Sequence, residues 1–103
     1  SSILSLLGPR TAGRWHRVDA DEVWVHVAGG RLELRQWTER AAHVGCTVLG
    51  VGLDEAPQDT VAAHVWQQAV TGDAWAFVSC VVTPGFNDQG FEMAPDGWAP
   101  PIS

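Results

Sequence analysis

Between Glu22 and Ala28 the sequence alternates with period two. Glu22, Trp24, His26 and Ala28 fall on one side, and Val23, Val25 and Val27 on the other. That alternation predicts a β-strand with one wholly apolar face and one face that carries chemistry. A carboxylate and an imidazole beside an indole suit the lining of a pocket better than a solvent face. The remainder of the chain reads as the support for this strand.

Short apolar or alternating runs recur along the sequence, separated by turn residues. Ile3–Leu7, ended by Gly8-Pro9, reads as a buried strand, and Trp15–Val18 as a short extended piece. Gly29-Gly30 carries a hairpin signal. Arg31–Trp37 follows with Leu32 and Leu34 opposite Arg31, Glu33 and Arg35, the pattern of a half-buried strand. Thr38–His43 is a polar connection and Val44–Leu49 a strand. Gly50–Thr60 reads as a long loop, and Val61–Val70 fits a helix as well as a strand. Ala74–Val82 is a strong strand closed by Pro84-Gly85, and the tail from Asn87 is rich in Pro and Gly with little periodicity. Seven or eight short strands with turns between them predict an all-β sandwich or barrel occupying the whole chain as a single domain, 1–103.

Composition narrows the partners. The net charge of −6, with no Lys and only six Arg, disfavours a nucleic-acid or anionic-membrane surface. No apolar run approaches the roughly 20 residues of a membrane helix. The first residues lack the basic region and cleavage site of a signal peptide, so a cytoplasmic protein is expected. In that setting Cys46 and Cys80 are expected to be two free buried thiols rather than a disulfide. Six Trp against no Tyr supply broad apolar surfaces with one donor each and no phenolic acid.

The spacing of His16, Glu22 and Gly29 resembles the first motif of the cupin superfamily, His-x-His followed by Glu and Gly, with Val18 in the place of the second His. Ala62-Ala63-His64-Val65-Trp66-Gln67 is similar to the second motif, with Ala62, His64 and Gln67 in the places of its Pro, Gly and third His. A wider likeness runs through Trp15-His16-Arg17, Asp21-Glu22-Val23-Trp24, Pro57-Gln58 and Cys80–Phe86 with Phe91-Glu92. These blocks resemble a small single-domain cupin branch often described as sugar-epimerase-like. Relative to that branch, the sequence begins later, without the Gly-Gly-aromatic-Arg-Glu-Thr stretch. The resemblance implies a cupin jelly-roll β-barrel, a small antiparallel double-stranded β-helix.

It also implies a metal centre or an acid–base site. Cupins bind Fe, Mn, Ni or Zn through three His and one Glu; here the corresponding set would be His16, Glu22 and Gln67, with Val18 unable to ligate. Cupin-type sugar epimerases use a Tyr as acid, which this chain lacks, so a strict copy of that mechanism is excluded. The expectation is therefore catalysis without a metal or other cofactor: isomerisation, cyclisation or elimination of a small, partly apolar molecule by proton transfer, in a biosynthetic pathway. A metal-dependent oxygenase or isomerase and a non-catalytic binding barrel are the alternatives. Glu22, His26 and His16 are the expected catalytic residues, and Trp24, Gln67, His64 and Arg17 the expected substrate contacts. Trp15 and Trp66, each beside an inward residue, should point outward. With Val23, Val25 and Val27 they would form an apolar face for a homodimer to cover.

Overall fold

A computed structural model describes residues 2–83 and 90–102. Among these residues nine strands form and no helix: β1 (Ser2–Leu7), β2 (His16–Val18), β3 (Asp21–Gly29), β4 (Leu32–Trp37), β5 (Gly45–Leu49), β6 (Gln58–Val61), β7 (Trp66–Thr71), β8 (Ala76–Thr83) and β9 (Phe91–Met93). They build two antiparallel sheets, one ordered β1-β8-β3-β6 and the other β5-β4-β7-β2-β9. Sequence neighbours repeatedly lie in different sheets, and the two sheets close into a jelly-roll barrel. Pro84-Gly85 lies outside the described residues.

The core between the sheets follows from strand alternation. Trp24 on β3, Leu32 and Leu34 on β4, Leu49 on β5, Val61 on β6 and Ala76, Val78 and Cys80 on β8 form one buried cluster. The expected opposition of Leu32 and Leu34 to Glu33 and Arg35 holds: the leucines are fully buried, and both arginines at the ends of that face, Arg31 and Arg35, pair with Glu33.

Several local expectations are corrected. Ile3–Leu7 is a strand but not a buried one: β1 is the edge of the four-stranded sheet, and Ile3, Leu4 and Leu6 are 51%, 63% and 67% exposed. Leu4 and Leu6 belong to an outer face without a covering layer, while Ile3 points to the other face and Leu7 packs against the core. Gly29-Gly30 turns the chain without making a hairpin, because β3 pairs with β6 and β8 while β4 pairs with β5 and β7. The turn passes from one sheet to the other and packs against Trp75. Gly29 has φ +88°, and a Cβ there would lie 2.4 Å from the Trp75 carbonyl oxygen, so only glycine fits. The Gly50–Thr60 loop ends early, at Pro57, and β6 begins at Gln58. Val61–Val70 is not helical. It holds the end of β6, a tight turn and most of β7, with His64 at φ +70° in that turn and its amide donating to the Val18 carbonyl.

The tail corrects the expectation for the tryptophans. Trp15 and Trp66 do leave the barrel interior, yet they are 4% and 6% exposed, and they do not join the Val23–Val27 face. They pack with Trp37 and Ala94 on the outer side of the five-stranded sheet, under Trp98 and Ile102. Trp98 sits 4.8 Å from Trp66, 6.1 Å from Trp37 and 6.2 Å from Trp15, ring centre to ring centre. The residues after β9 thus act as a strap over an indole cluster. Cys46 is exposed and Cys80 buried, both free, so the expectation of two buried thiols holds for one of them.

Candidate active site

Strand pairing brings one end of the barrel to a point. β3 turns Glu22 and Trp24 inward, and the β3–β8 register sets Trp24 opposite Cys80 and Glu22 opposite Val82. His16 and Val18 face them from β2 in the other sheet. Ile3 and Ser5 of β1 and Phe91 of β9 complete a cavity of about 280 Å³ with a largely apolar wall.

A chain of hydrogen bonds fixes its polar floor. The indole N–H of Trp24 can only donate, and it donates to Gln67 Oε1 at 2.7 Å. That orients the amide, whose Nε2 then donates to Glu22 Oε1 at 2.9 Å. Gln67 is fully buried and Glu22 is 8% exposed. The Cys80 thiol hydrogen-bonds to the same carboxylate. Burial first, and the adjacent Glu22 charge second, push the thiol up to about 12. Cys80 therefore stays protonated and serves as a donor. Sequence reasoning missed it as a site residue, although it lies on the inward register of β8 between Val78 and Val82.

His16 contributes the complementary group. Its Nδ1 donates to the Arg14 carbonyl at 3.1 Å, since a carbonyl only accepts, which leaves Nε2 as a lone-pair acceptor in the neutral ring. The ring stacks on Phe91 with 5.6 Å between centres. His16 and Gln67 are directly paired across β2 and β7, so they share the inward face.

The other expected site residues lie elsewhere. His26 is on the same face of β3 as Glu22, as predicted, and is buried, but it does not line the cavity. Its Nε2 donates to the Gly30 carbonyl at 2.8 Å, and Nδ1 has no protein partner. Trp24 stands between it and Glu22, so the expected Glu22–His26 pair is not brought together around a common space; Glu22 and His16 are. Arg17 points to the outer face, where it bonds Glu92 and Glu39 at 2.9 and 3.3 Å and lies 4.5 Å above the Trp66 ring. His64 is exposed beside a shallow surface recess that also includes Arg17. A larger recess of about 660 Å³ lies under the C-terminal strap, but its charged groups Glu33 and Arg35 pair with each other and Arg14 is held by the Ala94 carbonyl.

The donor set does not fit a cupin metal centre. Val18 has no donor atom, and both polar atoms of Gln67 are committed to Trp24 and Glu22. Among the described residues no three His, Cys, Asp or Glu side chains come together in a way that would hold a metal ion.

The family model for the Cupin superfamily (DUF985) matches residues 1–94. The chain belongs to the cupin superfamily. No curated protein matches it in sequence. Its structure is similar to that of a Shewanella oneidensis protein, at 31% identity and a TM-score of 0.81, over 90% of this chain and 60% of the other. A hypothetical protein from Leishmania major is similar at 24% identity and TM-score 0.78, over 88% and 62%. A dTDP sugar isomerase from Desulfovibrio desulfuricans shares the fold at 19% identity and TM-score 0.80, over 94% and 65%. This cupin thus spans less than two thirds of the length of each. No helix among its described residues is long and apolar enough to cross a membrane.

Proposed function

We propose that this cupin is an enzyme of isomerase type that moves a proton on a small, partly apolar molecule held beside Glu22, without a metal. The observation that carries the reading is the Glu22 carboxylate itself. It is buried in an apolar cavity, oriented by the Gln67 amide and the Cys80 thiol, and faces His16 across the space a substrate would fill. Glu22 is the group that takes the proton from one carbon, and the same proton goes back to the substrate at its new position from Glu22 or by way of His16, whose free Nε2 can carry it. Trp24 forms a wall. Gln67 touches no substrate in this scheme; it is a positioning residue. The likeness to a dTDP sugar isomerase supports an isomerase among the proton-transfer reactions. The metal-dependent reading is disfavoured by the commitment of Gln67 and by Val18.

The apolar outer face of the four-stranded sheet supports a homodimer. Leu4 and Leu6 of β1 join Val81 of β8 and Val23, Val25 and Val27 of β3 on that side.

The chemistry is tested without knowing the product. A panel of small carbonyl compounds is incubated with enzyme in deuterium oxide, and exchange at carbon is read by proton NMR. Wild type should catalyse exchange on at least one class of compound, and prior dialysis against a chelator should leave the rate unchanged. Glu22→Gln should lower it by about 10²–10⁴, the usual share of a positioned acid or base. Equal rates in wild type and Glu22→Gln would remove Glu22 from the reaction, and loss of rate on chelation would reinstate the metal.

A further inference from the structure

Among the described residues the cavity places the Glu22 carboxylate with no Lys or Arg beside it. Glu22 is stabilised by two neutral donors, the Gln67 amide and the Cys80 thiol. The chain has no Lys, and all six of its Arg lie outside the cavity. Arg17 is engaged by Glu39 and Glu92, Arg31 and Arg35 by Glu33, Arg10 by Asp73 and Arg14 by the Ala94 carbonyl, while Arg40 is exposed on the β4–β5 loop. Residues 84–89, which the structure does not describe, contain neither Lys nor Arg.

The rest of the lining adds acceptors and aromatic faces. His16 presents the bare Nε2 left by its bond to Arg14, Ser5 presents a hydroxyl, and Trp24 and Phe91 present rings. A ligand here meets lone pairs and π-faces, and the only donors in the described lining are the Ser5 hydroxyl and the neutral Cys80 thiol. An incoming anion would be placed beside a buried carboxylate in a low-dielectric space. An incoming ammonium would give that carboxylate its missing counter-charge, donate to Glu22 and His16, and stack its cationic head on the aromatic walls.

We propose that the cavity selects an organic amine, bound as its ammonium form, with an apolar body small enough for the roughly 280 Å³ space. The proposal rests on reading this cavity as the reactive site, and it gives that site a substrate class: an aminated small molecule rather than one carrying a phosphate, diphosphate or carboxylate.

The test compares three probes of one shape and different charge. Benzylamine (cationic at neutral pH), benzyl alcohol and phenylacetate are titrated into the wild-type protein. Binding is read by NMR from the Trp24 indole N–H, assigned with Trp24→Phe. Benzylamine should bind at least about tenfold more tightly than benzyl alcohol, phenylacetate should not bind, and Glu22→Gln should level the first two. Equal or weaker binding of the amine, preference for phenylacetate, no binding of any probe at millimolar concentration, or an amine preference that survives Glu22→Gln would each overturn it. The wild-type series stands even where a variant folds poorly. His16→Asn separates the two ideas: loss of turnover with the amine preference intact speaks only to the proton-transfer role. Amine selectivity without any carbon exchange would remove the reaction and leave the ligand class.

Discussion

Replacing Gln67 with Leu tests whether Trp24, Gln67 and Glu22 work as one buried unit. The amide accepts from Trp24 Nε1 at 2.7 Å and donates to Glu22 Oε1 at 2.9 Å, in a position with no solvent exposure. Leu keeps roughly the same volume and offers neither bond. An orphaned buried donor costs about 1–3 kcal/mol and a hydrogen bond to a charged group is worth about 1.5–3 kcal/mol, so the sum is about 2.5–6 kcal/mol. In a domain of this size each kcal/mol lowers the melting temperature by about 4–8 °C, which puts the variant at least about 10 °C below wild type. Trp24→Phe deletes the N–H and keeps a ring, so in the Gln67→Leu background it should cost less than it does alone. Urea unfolding followed by far-ultraviolet circular dichroism for wild type, both single variants and the double variant gives the coupling. It should exceed about 1 kcal/mol, well outside the 0.3–0.5 kcal/mol or so within which independent sites add. If Gln67→Leu alone fails to fold, a double variant that folds reports the same coupling. A loss below about 1 kcal/mol for Gln67→Leu, or simple additivity, would refute the argument.

Three further outcomes follow from the structure. The Cys80 thiol is raised from 9.0 in the unfolded chain to about 12 in the folded one, so its contribution is complete below about pH 9 and is lost as pH climbs toward 12. In a Cys46→Ser background, Cys80→Ala should flatten that alkaline loss, worth up to about 4 kcal/mol, in urea midpoints measured at neutral and high pH; an unchanged alkaline slope would contradict the assignment. Trp98→Ala should uncover Trp15, Trp37 and Trp66, costing about 3 kcal/mol and adding binding of an apolar dye, while the interior cavity keeps its probe binding; an unaltered melting temperature would mean the strap is not part of the fold's stability. Leu6→Asp, placing a charge on the open apolar face of β1, should convert a wild-type dimer to monomer in sedimentation velocity, and a monomeric wild type at micromolar concentration would remove the proposed dimer.

Much of the fold was legible because many strands have two chemically different faces. β3 and β4 declare themselves by alternation, and their inward residues are those the pattern selects. Where the reading failed, the missing information was non-local. An apolar run at Ile3–Leu7 looks the same whether a second layer covers it or not. The Gly29-Gly30 signal reports a tight turn correctly but cannot say whether the next strand returns along its neighbour or crosses to the opposite sheet. Val61–Val70 was ambiguous because its turn is made by His64 in a left-handed conformation, a place where a Gly would have broken the helical pattern visibly. The tail has little periodicity because only its short β9 pairs along a sheet, while the residues after β9 lie across the indoles.

The site shows the same division. Alternation places Glu22 and His26 on one face, but a face is only one coordinate. Successive inward residues stand about 6.6 Å apart along a strand, so two intervals put Glu22 and His26 about 13 Å apart in a flat one, and the cavity stops at Trp24. Depth decides the pairing, and depth comes from other strands: His16 from β2 and Cys80 from β8. Gln67 carries the physical logic furthest. A side chain in its position must receive an indole proton from one side and satisfy a carboxylate on the other. A neutral imidazole can accept and donate as well, and a metal would take the lone pair that Trp24 needs. An amide answers both neighbours at once and brings no charge. With Val18 opposite, this corner of the barrel supports the Glu22 carboxylate through neutral dipoles, with no Lys or Arg beside it, and that is the ground for proposing a ligand that carries the positive charge itself.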